Sequence, residues 1–371
     1  MPFDRIDSKN ILVHPIANRK SKTQILEVAA NPDTPAPKLA DKNQTHVDDF
    51  ARYILQARER GASVMLAFGA HLVKNGAAPL VIRMMERGWV THVAGNGACG
   101  IHDWEFAYLG RSEEDVRANV ETGSFGTWNE TGYFINLAVL LGAMQGMGYG
   151  ESLGRLILDE QLTIPSRASL EQDILKYLEH SDRDIAPLAE ALDSLKRLDL
   201  ASGIRTIPHP NKALSIFGQA ARLGVPATIH PGIGYDIIYN HPFANGAALG
   251  RGAHIDYEIF VNSVGNLTNG VFLSVGSAIM APQVFEKSVS LANNFALQEG
   301  KQILHDFHIL VDDLQESVWD WTQGEPPKSS PDYYLRFLKS FNRMGGKTHY
   351  IAEDNRALLH NLVQRLEEWG S

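Results

Sequence analysis

One sixteen-residue stretch, HVAGNGACGIHDWEFA at residues 92–107, joins a strand-like run to a glycine cluster and a group of polar residues. Gly95, Gly97 and Gly100 spell G-x-G-x-x-G in it, the spacing of a dinucleotide-binding turn. That spacing is meaningful only after a strand and before a helix, where the glycines let the backbone approach a phosphate closely. The stretch is therefore compatible with a cofactor loop, a metal site or a tight turn.

The same stretch ends in a His-Asp-x-Glu group, His102, Asp103 and Glu105. The group lacks the spacing of known zinc motifs, so we predict no metal site. Carboxylates at a helix start also favour the helix dipole, which is the structural alternative. Because a partly buried carboxylate favours a paired ammonium, we expect Asp103, Glu105 and the similarly placed Asp236 to hold a cationic substrate. His102 and His230 would then move protons.

Short apolar runs that predict strands alternate with helical patterns along most of the chain. This alternation is typical of a parallel sheet covered by helices on both faces. We therefore predict a doubly wound α/β fold with a mostly parallel, Rossmann-like sheet of six or more strands. The predicted strands are SVMLAF (63–68), VTHVAG (90–95), PATIHP (226–231), GVFLSVG (270–276), ILHDFHI (303–309) and THYIAED (348–354).

Two parts of the chain depart from this alternation. Residues 112–200 carry helical patterns with no convincing strand between them, which predicts a helical insertion. Residues 1–60 are expected to form an N-terminal arm and a peripheral helix. Residues 61–371, including the insertion, are predicted to form one domain.

Four predicted strands end in small or polar residues, where a doubly wound sheet binds its ligand. Glycine there allows a close backbone approach, and a following helix offers free N–H groups to a phosphate. Four such ends in one chain favour a nucleotide cofactor. The segments are AFGAHLVKNG (67–76), AGNGACGIHD (94–103), HPGIGYD (230–236) and SVGSAI (274–279).

Composition excludes several classes of protein. The 371 residues carry a formal charge of −9 without a basic block, which argues against a nucleic-acid surface. The single cysteine, Cys99, rules out an intramolecular disulfide and suits a reducing compartment. The longest apolar stretch, residues 133–147, is too short to span a bilayer. With no signal-peptide pattern at the start, we expect a cytoplasmic protein with no nucleic-acid or membrane partner.

These segments, in this order, resemble the deoxyhypusine synthase family. The stretch LAFGAHLVKNGAAPLVIRMMERGWVTHVAGNGACGIHDWEFAYLG is similar to the family's strand-tip loop, helix and second strand with a glycine turn. PATIHPGIGYDI, GVFLSVGSAI and YIAED are similar to later family segments, so the resemblance covers most of residues 60–365. Pro231 stands where the family has the Asp of a Thr-Asp-Gly turn.

The resemblance implies an NAD-dependent homotetramer that oxidises a polyamine transiently and carries its aminoalkyl group as an imine on a lysine. PDYYLRFLK is similar to the family's lysine stretch, which makes Lys339 the implied carrier. Asp103 and Asp236 fall where carboxylates hold the polyamine. The residues implied to bind NAD are Gly69, Ala70, His71, Asn96, Gly97, Glu353 and Asp354.

A second resemblance joins the first. GNGACGIHDWE is similar to the Gly-Asn-Ala-x-x-x-His-Asp-x-Glu turn of NAD-dependent ornithine cyclodeaminases. Our main hypothesis is a deoxyhypusine synthase-like transferase or lyase that oxidises a small cationic amine or amino acid to an imine with NAD. The alternatives are an ornithine cyclodeaminase-like enzyme, a non-catalytic NAD-binding protein, and a metal-dependent hydrolase that uses the His-Asp-x-Glu group.

Overall fold

The computed structural model describes residues 3–179 and 184–370. In those ranges the strands are β1 Thr23–Gln24, β2 Val64–Phe68, β3 His92–Asn96, β4 Arg111–Ser112, β5 Gln161–Ile164, β6 Gly203–Thr206, β7 Ala227–His230, β8 Val271–Val275, β9 His308–Asp313 and β10 Lys347–Ala352. The helices are α1 Ile25–Val28, α2 Asp41–Glu59, α3 Ala70–Lys74, α4 Ala78–Glu86, α5 Gly97–Leu109, α6 Val116–Glu121, α7 Asn129–Ala143, α8 Tyr149–Asp159, α9 Arg167–Glu179, α10 Ala186–Arg197, α11 Ile216–Leu223, α12 Gly246–Gly265, α13 Met280–Gln298, α14 Arg336–Asn342 and α15 Asn355–Trp369. No helix in the described ranges is long and apolar enough to cross a bilayer.

Six strands form one parallel sheet in the order β10-β9-β8-β2-β3-β7. From β2 the chain winds outward through β3 to β7, then returns to the centre and winds the other way through β8, β9 and β10. This order is that of a doubly wound dinucleotide-binding sheet. The predicted fold class is confirmed, and the winding direction reverses between the adjacent central strands β2 and β8.

Burial of both sheet faces explains the continuous apolar run of β2. Val64, Leu66 and Phe68 belong to a cluster with residues of α2, α4 and α15 on one face. Met65 and Ala67 belong to a second cluster with residues of α12, α13 and α14 on the other face. All five side chains are inaccessible to solvent. A strand covered on both sides needs apolar residues at every position, because neither face meets water.

The region predicted to be a helical insertion, residues 112–200, contains a strand as well as helices, and two of its helices join the main core. β5, at residues 161–164, pairs antiparallel with β6 just beyond the region. α7 and α8 supply Ile135, Tyr149 and Leu153 to the main core. α9 and α10 instead belong to a separate cluster around Leu170 and Leu195. α7 also contributes Leu137, Leu140 and Leu141 to that cluster, so it joins the region to both cores, and the region includes a strand.

Two further boundaries differ from the sequence-based expectation. The strand predicted over residues 303–309 forms over His308–Asp313, since the apolar pairs that face β8 begin at Ile309. The helix expected to be peripheral in residues 1–60 is α2, whose Phe50 and Ile54 are fully buried. α2 thus forms part of the layer that covers one face of the sheet.

Candidate active site

The candidate site lies at the carboxyl ends of the parallel strands, over the reversal between β2 and β8. The loops that follow these two strands are in direct contact there. Gly69 N donates to Val275 O at 3.0 Å, and a Cβ on Gly69 would lie 1.9 Å from Gly276 O. Gly69 is therefore required by loop-to-loop packing, whatever ligand binds beside it.

A large cavity of about 510 Å³ opens beside this contact. His71, Lys74, Asn75, Asp354 and Arg356 are among its lining residues. His71, Asn75 and Asp354 also line an adjoining space of about 140 Å³ that reaches the ends of β8 and β9. The large cavity and this space together follow the tips of β2, β8, β9 and β10.

A small pocket of about 240 Å³ lies on the other side of α3, towards the tips of β3 and β7. Its lining includes Lys74, His102, Glu113, Tyr235 and Asp236. Lys74 and Glu113 line the large cavity as well, so they stand at the junction of the two spaces. The crevice formed by the large cavity and the small pocket crosses the carboxyl edge of the sheet.

Lys74 and Glu113 form an ion pair at this junction, with Lys74 Nζ 3.4 Å from Glu113 Oε1. Thr23 Oγ1 donates to Glu113 Oε2 at 2.8 Å, and the backbone of Glu113 has a φ of 70°. A non-glycine residue in that region costs free energy and persists only where its surroundings hold it. Burial alone would raise the pKa of Glu113, but the Thr23 hydrogen bond and the Lys74 charge outweigh it and lower the pKa.

His102 presents one ring nitrogen to protein and the other to the small pocket. Its Nδ1 lies 2.7 Å from Ser112 Oγ. Its Nε2 has no hydrogen-bond partner in the described ranges and is not sealed from solvent. Burial lowers the pKa of His102 to about 4, so the ring is neutral at pH 7. A neutral ring with an accessible nitrogen can accept or donate a proton.

Glu105 is anchored within the protein. Both of its oxygens accept from Arg19, each at 2.7 Å, and Thr131 Oγ1 donates to Oε1 at 2.9 Å. Ser112 Oγ donates to its Oε2. Glu105 is 0% exposed and Arg19 is 4% exposed. The predicted substrate carboxylate is therefore corrected to a buried structural ion pair, since its lone pairs are already engaged by protein donors.

Asp236 keeps a carboxylate oxygen for a ligand. Its Oδ2 accepts from Gly232 N at 2.6 Å, while its Oδ1 has no hydrogen-bond partner in the described ranges. The carboxylate packs against Gly97, where a Cβ would come within 2.7 Å of it. Burial raises the pKa of Asp236, partly offset by the Gly232 hydrogen bond. A cation bound in the small pocket would lower the pKa of Asp236 and favour its ionised form.

Asp103 points away from the crevice. Its side chain accepts from Ser215 Oγ at 2.5 Å, from Ile216 N at 2.8 Å and from Phe217 N at 3.2 Å. These groups begin α11, so Asp103 supplies acceptors to the first-turn N–H groups of that helix. Burial raises the pKa of Asp103 to about 6 in spite of these bonds. We correct its predicted role to a structural one, because a neighbouring helix end occupies both oxygens.

Two other predicted catalytic residues lie outside the crevice lining. His230 is buried against α12, where its ring is edge-on to Phe260 and its Nε2 lies 3.1 Å from Thr228 Oγ1. Lys339 is on α14, and its Nζ lies 3.6 Å from the ring centroid of Tyr333. Neither residue meets His102 or Asp236 in the small pocket. We therefore leave both out of the proposed site.

The G-x-G-x-x-G glycines are used for packing within the protein. Added Cβ atoms would meet Cys99 at Gly95, Asp236 at Gly97 and Ile229 at Gly100, all within 2.8 Å. Side chains of the protein itself therefore lie against all three glycines. The glycine spacing therefore fits a tight strand-to-helix turn.

The predicted cofactor residues fall into two groups. His71 and Asp354 line the large cavity, and Asp354 also accepts from Ala357 N at 2.9 Å at the start of α15. The others have contacts that explain them without a ligand or lie outside the lining. Asn96 accepts from Cys99 N at the start of α5, and Glu353 accepts from Asn43 Nδ2. The residues outside the lining are Gly69, Ala70, Asn96, Gly97 and Glu353.

Sequence reasoning missed four residues of the site: Arg19, Lys74, Ser112 and Glu113. Lys74 lies within AFGAHLVKNG, so its position after a strand was a usable signal. Arg19 and Ser112 carry no such signal, because the antiparallel pairing of β1 with β4 brings these distant parts of the chain beside Glu105. Their role depends on tertiary structure.

Solved structures of similar architecture are distant. ArgZ, a cyanobacterial arginine dihydrolase from the ornithine–ammonia cycle, is 11% identical with a TM-score of 0.41, over 88% of this chain and 33% of that chain. AgrE in complex with ornithine and NAD⁺ is 12% identical with a TM-score of 0.44, over 89% and 34% of the two chains. A conserved putative LOR/SDH protein from Methanococcus maripaludis S2 is 12% identical with a TM-score of 0.44, over 93% and 74%.

The chain thus spans about a third of the length of the ArgZ and AgrE chains that it matches. No protein-family model and no curated protein matches the sequence. Likeness at this level carries no inference about chemistry, so the assignment of the site depends on the geometry above.

Proposed function

We propose that the protein is an NAD-dependent enzyme that oxidises a small cationic amino acid or amine to an imine. NAD would occupy the large cavity, and the amine would occupy the small pocket. The observation that carries the proposal is the junction at Lys74 and Glu113, which joins a cofactor-sized cavity to a substrate-sized pocket over the sheet reversal.

The large cavity suits a dinucleotide in size and in chemistry. Its volume of about 510 Å³ falls within the usual range of ligand sites, roughly 300–1,000 Å³. Lys74 and Arg356 can pair with phosphate oxygens. Asp354 in the large cavity and Asp313 in the adjoining space offer acceptors for ribose hydroxyl groups. When bound, NAD would supply a hydride acceptor for the carbon that carries the substrate's nitrogen.

The small pocket suits the amine. At about 240 Å³ it is below the usual range for cofactors but large enough for a small substrate. Asp236 would hold the substrate's ammonium group through its free Oδ1. His102 Nε2 would accept the proton that the nitrogen must release before hydride leaves the adjacent carbon. Lys74 at the junction can pair with a substrate carboxylate, which favours an amino acid over a polyamine.

Lysine placement also favours one of the two resemblances over the other. Aminoalkyl transfer of the deoxyhypusine synthase kind requires a lysine beside the imine. Lys339 interacts with Tyr333, whereas Lys74 is paired with Glu113 in the crevice. Capture of the imine by water or by a second amine of the substrate requires no such lysine. We therefore favour a cyclodeaminase-like or deaminating reaction on a basic amino acid such as ornithine.

The test is incubation of the protein with NAD and each of ornithine, arginine, lysine and spermidine, followed by mass spectrometry of the products. Product analysis is essential, since a reaction that returns the hydride leaves no net NADH. We expect turnover of at least one basic amino acid and loss of most of it in Asp236→Asn. Asp256→Asn is the control, because Asp256 is also buried but contacts α8 and β7 instead of the crevice.

Two outcomes would contradict the proposal. One is the absence of product from every amine at millimolar concentration, with NAD present. The other is an equal loss of turnover in Asp236→Asn and Asp256→Asn at matched folded fraction.

A further inference from the structure

A chain of buried hydrogen bonds leads from the N-terminal arm to the small pocket. Arg19 holds both oxygens of Glu105, Ser112 Oγ donates to Glu105 Oε2, and His102 Nδ1 lies 2.7 Å from the same Ser112 Oγ. The chain ends at His102 Nε2, which faces the pocket. Three different segments of the sequence contribute to it: the arm, α5 and β4.

The directions of these bonds follow from the number of protons available. A serine hydroxyl has one hydrogen to donate and lone pairs to accept with. Ser112 gives its hydrogen to Glu105, because the carboxylate paired with Arg19 can only accept. Ser112 Oγ must therefore accept from His102, which requires the ring hydrogen to be on Nδ1. The lone pair of the neutral ring is then on Nε2.

We infer that Arg19, Glu105 and Ser112 are positioning residues that fix His102 in its Nδ1–H tautomer, so that Nε2 is the proton acceptor for the substrate. The inference rests on the proposed function only for the identity of the proton donor. One proton passes from the substrate's ammonium nitrogen to Nε2, and the electron pair of the broken N–H bond stays on the substrate nitrogen. The resulting imidazolium keeps its Nδ1–H bond to Ser112.

Burial and the charges around His102 together favour the return of the ring to its neutral form. Glu105 and Glu113 favour the protonated ring, whereas Lys74, Arg19 and burial oppose it. Lys74 is the last residue of α3, Glu113 follows β4, and Glu105 lies one turn along α5 from His102. Burial is the largest of these effects, so the ring returns to neutrality once the proton can leave.

The experiment is nitrogen NMR of protein labelled with ¹⁵N-histidine, with the His102 signals assigned by their loss in His102→Gln. For wild type at pH 7, without NAD or substrate, we expect a protonated-type Nδ1 shift and an unprotonated-type Nε2 shift. Ser112→Ala should convert this single tautomer into a mixture, or into the Nε2–H form. Thr131→Val is the matched control, since it removes a different hydrogen bond to Glu105 and leaves the path to His102 intact.

An Nε2–H tautomer in wild type would overturn the inference without any variant being needed. So would a Ser112→Ala spectrum in which His102 keeps the wild-type tautomer. Because neither readout depends on turnover or on NAD, the inference can fail while the proposed function stands, and the reverse also holds.

Discussion

At the scale of single residues, the number of hydrogen bonds that a side chain makes within the protein distinguishes a structural residue from a candidate functional one. Asp103 and Asp236 both follow glycine-rich strand tips, and sequence alone gives them the same role. In the structure Asp103 accepts three hydrogen bonds from the start of α11, whereas Asp236 accepts one and keeps an oxygen free. A side chain with its bonding capacity satisfied has little to offer a substrate.

The Asp103→Asn variant tests this distinction. The amide nitrogen cannot accept, so at least one hydrogen bond to the first turn of α11 is lost. We expect the free energy of unfolding to fall by about 1–3 kcal/mol, measured by urea denaturation. Turnover per folded molecule should remain close to that of wild type. A variant with unchanged stability and no turnover would instead restore Asp103 to the site.

At the scale of elements, the N-terminal arm is part of the site. β1 pairs with β4, Thr23 holds Glu113, and Arg19 reaches into the core to pair with Glu105. The sequence predicts an N-terminal arm and a peripheral helix over residues 1–60, and it gives no sign of these contacts. The importance of the arm comes from a few polar contacts, which composition does not reveal.

The Arg19→Met variant measures the contribution of the arm. Removing the guanidinium leaves the Glu105 carboxylate buried without its cation, which typically costs about 3–5 kcal/mol. Thermal and urea unfolding would report that loss. The double variant Arg19→Met/Glu105→Gln should recover a large part of it, because no buried charge remains.

Lys22→Met is the control for the same arm. Lys22 pairs with Asp115 at 3.2 Å, but both side chains are about half exposed. Exposed pairs contribute about 0–1 kcal/mol, so this variant should unfold almost as wild type does. Equal losses in Arg19→Met and Lys22→Met would contradict the structural role that we give to the arm.

At the scale of the whole molecule, buried histidines make stability depend on pH. Burial lowers the pKa of His92 to about 3 and the pKa of His102 and His230 to about 4. Between pH 6.5 and about 4 the unfolded chain therefore binds more protons at these positions than the folded chain does. The contribution of these histidines to stability therefore falls as pH falls through this window.

We expect the free energy of unfolding to be clearly lower at pH 5 than at pH 7, with each histidine contributing up to about 1.4 kcal/mol per pH unit. Asp103 and Asp256, whose pKa values burial raises to about 6 and about 8, oppose this trend, as do Asp236 and Asp312, whose pKa values burial also raises. These four are outnumbered by the eight described histidines whose pKa burial lowers: His46, His92, His102, His209, His230, His241, His308 and His349. Urea denaturation at three pH values measures the slope. His230→Gln should reduce it, and a protein more stable at pH 5 would contradict the assignment.

Much of the fold could be predicted from the sequence, whereas little of the site could. β2 is apolar at every position and β8 at every position but Ser274, and such runs reveal a sheet buried on both faces. The site depends on which polar groups already have partners, as Asp103 and Glu105 show. That property arises from contacts between distant segments, and no local pattern encodes it. The homotetramer implied by the resemblance stays a prediction, which sedimentation velocity can test.

Calorimetric titration with NAD tests the central claim, a dinucleotide site at the junction of the crevice. The comparison uses wild type, Lys74→Gln in the crevice, and Lys339→Gln on α14 as a matched lysine control outside it. We predict equal Kd values for wild type and Lys339→Gln, and binding weaker by about tenfold or more in Lys74→Gln, a loss of at least about 1.4 kcal/mol. No detectable binding to wild type, or one Kd shared by all three proteins, would contradict the account.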